Sequence, residues 1–194
     1  MADPVLHLLA GPNGAGKSTL FRRVIGPITN LQFVNADELA VRHWPSDPEV
    51  HGYEASQIAA SVRQELLGGR ISFVTETVFS HDSKLELVEA ARAVGYIVHL
   101  HVVVIPVDLA VARVADRVAR GGHRVPEDKV RQRYERLWGI VAQAVVAADR
   151  ATVYDNSRAD TPFVVVAEFF SGTVAADAAW PVWAPLELRT AGSR

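Results

Sequence analysis

A glycine-rich stretch near the N-terminus constrains this chain more than any other feature. Residues 11–19 read Gly-Pro-Asn-Gly-Ala-Gly-Lys-Ser-Thr and match the spacing G-x-x-x-x-G-K-S. The apolar residues 5–10 predict a strand before it, and the pattern from Lys17 onward predicts a helix after it. This order of strand, glycine turn and helix is typical of a phosphate-binding loop, in which backbone N–H groups surround an anion.

Each position of this loop has an expected role. The predicted nucleotide-binding residues are Gly11, Pro12, Asn13, Gly14, Ala15, Gly16, Lys17, Ser18 and Thr19. In such loops the lysine contacts the outer phosphates, and the hydroxyl that follows it ligates Mg²⁺. We therefore expect Lys17 to bind phosphate, Ser18 to be the metal ligand, and a nucleoside triphosphate to bind with Mg²⁺.

The composition restricts the class of protein. With 194 residues, 49% of them hydrophobic, the chain suits a single domain over residues 1–194. A net charge of −2 gives no overall attraction to nucleic acid, and no apolar run approaches the ~20 residues that span a bilayer. There is no cysteine, which excludes disulfides and cysteine-based zinc sites. We expect a cytoplasmic protein with neither a nucleic-acid nor a membrane partner.

Alternating apolar and helical segments predict the fold class. Strand patterns occur at residues 31–35, 71–75, 96–105, 151–155 and 163–170, with helical patterns between most of them. Together with the phosphate loop they predict an α/β fold, a three-layer P-loop NTPase sandwich with a mainly parallel five- or six-stranded sheet. The C-terminal tail, residues 172–194, is expected to pack on this domain.

Basic residues are concentrated in one segment. Residues 113–136 contain seven arginines, and Arg113, Arg117 and Arg120 recur at helical spacing. A break at Gly121-Gly122 separates two helical patterns, which predicts a helical arginine lid over the nucleotide. A solvated helix face is the alternative interpretation of such a run.

Two carboxylates follow predicted strands. Asp37 comes after the strand at 31–35, and Glu76 comes after the strand at 71–75. In open parallel sheets the ligand crevice lies at the carboxyl ends of the strands, so both residues fall at the functional edge. Asp37 is the candidate catalytic base, with a helix N-cap as the alternative. Glu76 could hold a substrate hydroxyl or a metal-bound water, or be a surface carboxylate.

Two histidines interrupt the longest predicted strand. His99 and His101 are spaced i, i+2, which would allow both to ligate one metal ion. The sequence indicates no third ligand beside them, so we interpret them as hydrogen-bonded core or edge histidines.

The motifs present in the sequence, and those missing from it, distinguish among the classes of P-loop protein. The guanine-reading Asn-Lys-x-Asp motif of GTPases and the paired acids of motor ATPases are both absent from the sequence. A loop, strand-end carboxylates and clustered arginines instead fit a small kinase, in which catalysis consists mainly of positioning and charge neutralisation.

Several motifs together resemble the zeta toxin family. They are the phosphate loop, Phe33-Val34-Asn35-Ala36-Asp37, Ser72-Phe73-Val74-Thr75-Glu76-Thr77, Arg120-Gly121-Gly122-His123-Arg124-Val125-Pro126 with Arg131-Gln132-Arg133-Tyr134, and Asp155-Asn156-Ser157. The resemblance extends from about residue 5 to residue 157. The lid run combined with Thr-Glu-Thr is more specific than the phosphate loop alone.

The resemblance implies an activity and a set of site residues. The family consists of bacterial kinases whose best-known members use ATP and Mg²⁺ to phosphorylate UDP-N-acetylglucosamine. It makes Asp37 the catalytic base, Lys17 a phosphate ligand, and Glu76 with Thr77 the substrate-binding residues. Arg120 and Arg133 best match the two catalytic lid arginines, and the choice among Arg117, Arg120, Arg124, Arg131 and Arg133 stays open. Family toxins are held inactive by a small antitoxin, which here would be a separate protein.

The sequence departs from the family pattern in two respects. Val78-Phe79-Ser80 follows Thr77 where a second polar residue is expected, and the chain is shorter than the wall-targeting toxins. A kinase of another small molecule, such as an antibiotic or a nucleoside, and a non-catalytic ATP-binding regulatory protein therefore remain as alternatives.

Overall fold

A computed structural model describes residues 2–77, 79, 81, 83–120, 125–175 and 178–192. Its strands are β1 (Val5–Ala10), β2 (Gln32–Val34), β3 (Phe73–Glu76), β4 (Ile97–Val104), β5 (Arg150–Asp155), β6 (Val164–Phe170) and β7 (Thr173–Val174). Its helices are α1 (Lys17–Leu20), α2 (Gly26–Thr29), α3 (Ala36–His43), α4 (Gly52–Gly68), α5 (Ser83–Ala93), α6 (Val107–Ala119), α7 (Glu127–Ala147) and α8 (Leu186–Arg189), with a π-helical turn over Phe21–Ile25 between α1 and α2.

The strands form one sheet in the order β2-β3-β1-β4-β5-β6-β7. The first five strands in this order are parallel, whereas β6 and β7 are antiparallel. The predicted α/β fold with a mainly parallel sheet is confirmed. The sheet has seven strands rather than five or six, because a turn at Ser171 and Gly172 folds Thr173–Val174 back onto β6. Both turn residues have positive φ, 48° and 76°, as a type I′ hairpin turn requires.

Helices cover both faces of the sheet and enclose two apolar clusters. On one face Leu6 and Leu8 of β1 pack with residues of α4, α5 and α7. On the other face Leu9 of β1 packs with residues of α1, α6 and the π-helical turn. The alternation along β1 is expected for a strand that is buried on both sides. None of the described helices combines the length and apolar character needed to cross a bilayer.

The predicted lid region contains the end of α6 and the beginning of α7. The predicted loop residues Gly121, Gly122, His123 and Arg124 lie outside the described residues. Val114 of α6 and Val130 of α7 belong to the same buried cluster. Both helices are therefore anchored to the domain next to the segment for which lid closure is predicted.

His99 and His101 make the hydrogen-bond contacts that the sequence predicted, but the expectation that no third ligand lies beside them is wrong. His7 of β1 lies directly opposite His99 of β4, so a third imidazole does join His99 and His101. His99 Nε2 and Thr152 Oγ1 are 3.0 Å apart, and His101 Nδ1 and the Tyr154 hydroxyl are 3.1 Å apart. Burial lowers the pKa of His99 to about 4 and also lowers those of His7 and His101, so all three are neutral at pH 7.

Candidate active site

The phosphate loop connects β1 to α1 and requires glycine at the positions where the sequence has it. Gly14 and Gly16 have φ angles of 76° and 96°. A Cβ on Gly16 would lie 2.6 Å from the Asn156 side-chain nitrogen, and one on Gly14 would lie 2.9 Å from the Ala110 carbonyl oxygen. Both the backbone conformation and the close packing therefore exclude larger residues.

Asn156 is a site residue whose role sequence reasoning missed. It follows β5, is buried, and donates from Nδ2 to the Ala15 carbonyl oxygen at 2.8 Å. This bond fixes the middle of the phosphate loop from a strand that is 141 residues distant in sequence. The resemblance of residues 155–157 to a family motif was the available signal, but it did not indicate this contact.

Lys17 and Glu76 lie next to each other beside the phosphate loop. The Lys17 amine, with the residue only 5% exposed, donates to the carbonyl oxygens of Gly11 and Pro12 at 3.1 Å each. It is also 3.6 Å from Glu76 Oε1. The Ser18 hydroxyl donates to Glu76 Oε2 at 2.6 Å. The amine is thus held at the loop by opposite charge and by backbone oxygens, where it can turn toward a phosphate.

Asn35 organises the neighbouring strand end. Its side-chain oxygen accepts hydrogen bonds from the backbone N–H groups of Asp37 at 2.8 Å and Glu38 at 3.3 Å, which makes Asn35 the N-cap of α3. The alternative interpretation of Asp37 as the cap is therefore wrong. The Asn35 amide also donates to Glu76 Oε2 at 2.9 Å, so it joins the two strand ends that carry the predicted carboxylates. The Asp37 side chain is left exposed in the first turn of α3.

A cavity of about 530 Å³ opens beside these residues. This volume lies within the range of small-molecule sites, roughly 300–1,000 Å³. It is lined by Asn13, Gly14, Gly16, Lys17, Ser18, Thr19, Arg22, Asn35, Asp37, Glu38, Val41, Glu76, Arg113 and Arg117. The phosphate loop, both predicted carboxylates and two arginines of α6 therefore share one cavity. Thr77 lies at the same sheet edge, where its backbone N–H donates to the Leu9 carbonyl oxygen at 3.0 Å.

Two arginines of α6 face this cavity. Arg113 donates to the Asn156 carbonyl oxygen at 3.0 Å and to that of Gly14 at 3.5 Å. Burial lowers the pKa of Arg113 from its usual value, but an arginine remains charged at neutral pH. Arg117, one turn later, also lines the cavity. Positive charge thus lies on the side of the loop opposite Asp37.

The predicted lid arginines lie elsewhere on the surface. The side chain of Arg120 is 77% exposed and pairs with Asp116 at 2.9 Å. Arg133 is exposed on α7, and Arg131 pairs with Asp108 and Glu127 at 2.9 Å each. Because a helix rises 1.5 Å per residue, Arg120 lies roughly 10 Å beyond Arg113 along α6. A catalytic role for Arg120 and Arg133 stays a prediction that requires this region to move toward the cavity.

Single alanine substitutions separate these two sets of arginines. We expect Arg113→Ala and Arg117→Ala each to weaken ATP binding about tenfold, the value of one charge-assisted hydrogen bond. Arg120→Ala, Arg133→Ala and a surface control, Arg136→Ala, should stay within about twofold, as uncontacted surface positions do. Calorimetric titration with ATP measures the effect. If Arg120→Ala loses more ATP affinity than Arg117→Ala, the described geometry is contradicted, and the predicted lid closes on the nucleotide.

A family profile and one related sequence match this chain. The sequence profile of the family described as Zeta toxin matches residues 1–161. A protein of Haemophilus influenzae described as uncharacterized is 31% identical over 125 residues, which are 64% of this chain and 88% of that protein.

Solved structures share the fold at low sequence identity. A structure of the PezAT toxin–antitoxin system of Streptococcus pneumoniae matches with a TM-score of 0.64 and 15% identity, over 87% of this chain and 72% of that chain. The AvrRxo1-ORF1:AvrRxo1-ORF2 structure with ATP matches with a TM-score of 0.69 and 18% identity, over 90% of this chain and 60% of that chain. Shikimate kinase from Acinetobacter baumannii matches with a TM-score of 0.52 and 22% identity, over 80% of this chain and 84% of that chain.

The family match covers most of the chain and includes the phosphate loop, both strand-end carboxylates and the arginines of α6. The chain therefore belongs to the Zeta toxin family and is an ATP-dependent kinase, a phosphotransferase.

Proposed function

We propose that this kinase transfers the γ-phosphate of ATP to a hydroxyl group of a sugar nucleotide such as UDP-N-acetylglucosamine. The observation that carries the proposal is the shared cavity, in which an exposed carboxylate, Asp37, stands beside a phosphate loop. A donor site with a free carboxylate next to it is what a hydroxyl acceptor requires. The sugar nucleotide is inferred from family membership, since best-known zeta toxins act on that acceptor.

The chain's own residues support a specific division of labour. Asp37 accepts the proton of the acceptor hydroxyl. The hydroxyl oxygen forms a bond to the γ-phosphorus, and the bond between that phosphorus and the ADP oxygen breaks. Lys17 and the arginines of α6 neutralise the charge on the phosphoryl oxygens. Asn35 fixes the start of α3 and thereby the position of Asp37. Thr77, directly after Glu76, is proposed to bind the acceptor.

The oxygen atoms of Ser18 and Glu76 are of the kind that bind a magnesium ion. Mg²⁺ prefers carboxylate and hydroxyl oxygens, and the Ser18 hydroxyl lies 2.6 Å from the Glu76 carboxylate. We propose that Ser18 would hold the ion and that Glu76 would orient one of its waters. When bound, Mg²⁺ would neutralise the charge that develops between the β- and γ-phosphates. This assignment gives Glu76 a second role beside its proposed contact with the acceptor.

The cavity rim provides a place for an inhibitory partner. Val41 lines the cavity and is 58% exposed, next to the charged Glu38 and Arg22. We propose that a separate antitoxin protein covers this opening and excludes ATP, as antitoxins of the family do. A cytoplasmic location, where ATP is available, is part of the same proposal.

The decisive experiment follows labelled phosphate to a named acceptor. Purified protein is incubated with γ-labelled ATP, Mg²⁺ and UDP-N-acetylglucosamine, and the product is identified by mass as the monophosphorylated sugar nucleotide. The expected result is a product that depends on both ATP and Asp37. A parallel reaction with a bacterial metabolite extract, an aminoglycoside and a nucleoside tests the rival acceptors. A labelled product only in those reactions, or no product with UDP-N-acetylglucosamine, would overturn the sugar nucleotide as the acceptor.

A further inference from the structure

Three histidines form a compact group on the face of the sheet that carries the phosphate loop helix. His7 of β1 and His99 of β4 are direct neighbours in the parallel ladder, and His101 lies two residues further along β4 on the same face. Their ring centroids are 4.0 to 5.5 Å apart. The group unites two strands, so it arises from sheet register and not from local sequence.

One ring nitrogen of each histidine lies near one ring nitrogen of the other two. These three nitrogens all lie within 4.8 Å of one another, and His7 Nδ1 is 3.0 Å from His101 Nε2. Ligands at a zinc–nitrogen distance of about 2.0–2.1 Å in a tetrahedron are roughly 3.4 Å apart. The His7–His101 separation of 3.0 Å is close to that value, and the other separations do not exceed 4.8 Å. The rings of His7 and His99 are half-buried, and that of His101 is buried.

The outer contacts of the group are those of a metal site. His101 Nδ1 faces the Tyr154 hydroxyl, and His99 Nε2 faces the Thr152 hydroxyl. In metal sites the ring nitrogen that does not ligate is held by a second partner, which fixes the orientation of the ring. The positive charge of Arg150 acts on His99 and His101, and its guanidinium lies over the Phe170 ring at 4.8 Å from the centroid. Because this guanidinium is held over an aromatic ring, its charge would repel a divalent cation among the histidines only in part.

We propose that His7, His99 and His101 bind a divalent transition metal of the zinc class, a site separate from the Mg²⁺–ATP site. Three neutral imidazoles are a known ligand set for Zn²⁺ and leave a fourth position for water. Oxygen-seeking Mg²⁺ and Ca²⁺ are disfavoured, since the group offers nitrogen ligands. Bound metal would tie the middle of β1 to β4, because His7 and His99 are paired there and His101 is in register with Leu9. His7 precedes Gly11 by four residues, about 13 Å of extended strand.

Metal binding by untagged protein tests this site directly. Protein freed of metal with a chelator is titrated with Zn²⁺ by calorimetry, and with Co²⁺ while the visible absorption of tetrahedral Co²⁺ is recorded. We expect one ion per chain and a tetrahedral Co²⁺ spectrum. His7→Gln and His99→Gln should each weaken Zn²⁺ binding by more than the ~10- to 100-fold that outer partners contribute. His43→Gln, which alters an exposed histidine of α3, should bind as the wild type does.

The outcomes distinguish a metal site from a hydrogen-bonded stack. Zn²⁺ should raise the melting temperature of the wild type and of His43→Gln but not that of the two ligand variants. If wild-type protein binds no stoichiometric Zn²⁺, or if His7→Gln and His99→Gln bind it equally well, the proposal is overturned. The group is then only a chain of hydrogen bonds from Tyr154 through His101 to His7. Circular dichroism of each variant verifies folding, and the test needs no kinase activity, so it is independent of the proposed acceptor.

Discussion

Replacing Asp37 with asparagine is expected to lower phosphate transfer about 100- to 10,000-fold while ATP affinity stays unchanged. Asparagine keeps the size and polarity of the side chain but cannot accept the acceptor proton. The helix start is preserved, because α3 is capped by Asn35 through backbone N–H groups. Initial rates of product formation, together with calorimetric titration of ATP, measure the two effects separately.

A neighbouring carboxylate supplies the matched control. Glu38 follows Asp37 on α3, lines the same cavity and is likewise exposed. Glu38→Gln removes the same charge from the same turn, so it should retain a rate within a few-fold of the wild type. Asp37→Asn transferring phosphate at the wild-type rate would exclude Asp37 as the base. Equal losses in both variants would indicate a general effect of local charge.

The second large effect is expected from Lys17→Met, which should abolish measurable nucleotide binding and lower transfer about 100- to 1,000-fold or more. Methionine keeps the apolar stem but removes the charged donor from the loop. The loss of the amine also leaves Glu76 without the cation 3.6 Å away, though Ser18 and Asn35 still donate to it. Fluorescent nucleotide titration and the transfer assay measure this loss.

Lys129→Met is the control for Lys17→Met, since Lys129 is an exposed lysine of α7. It should bind ATP and transfer phosphate as the wild type does. The same pair of variants tests the toxin link, because growth inhibition on expression should disappear with Lys17→Met and persist with Lys129→Met. Growth inhibition that survives Lys17→Met would separate toxicity from the kinase reaction.

The parts of the fold that sequence analysis predicted are those encoded locally. The phosphate loop was recognisable because Gly14 and Gly16 occupy left-handed backbone positions that other residues rarely adopt. The apolar runs at residues 5–10 and 96–105 predicted the strands β1 and β4. The additional strand β7 was not predicted, since two residues at Thr173–Val174 carry no periodic signal and gain strand structure by pairing with β6.

The candidate site was predicted in part for the same reason. Asp37 and Glu76 were found because each follows a strand, and parallel strand ends share one edge. The choice among the arginines could not be made, because a stripe at helical spacing does not reveal which turn faces the loop. Arg113 contacts the Gly14 and Asn156 carbonyl oxygens only because α6 packs its first turns against the loop.

Glycine geometry and strand periodicity act over a few residues, so the sequence was enough to predict a loop that binds nucleotide phosphate and an α/β sheet around it. Which distant side chains complete the loop, and which meet elsewhere, became visible in the folded chain. Asn156 reaches Ala15 from β5, and His7 joins His99 and His101 across the β1–β4 ladder. Strand order and register set these contacts, and both depend on the burial of the whole sheet rather than on any one segment.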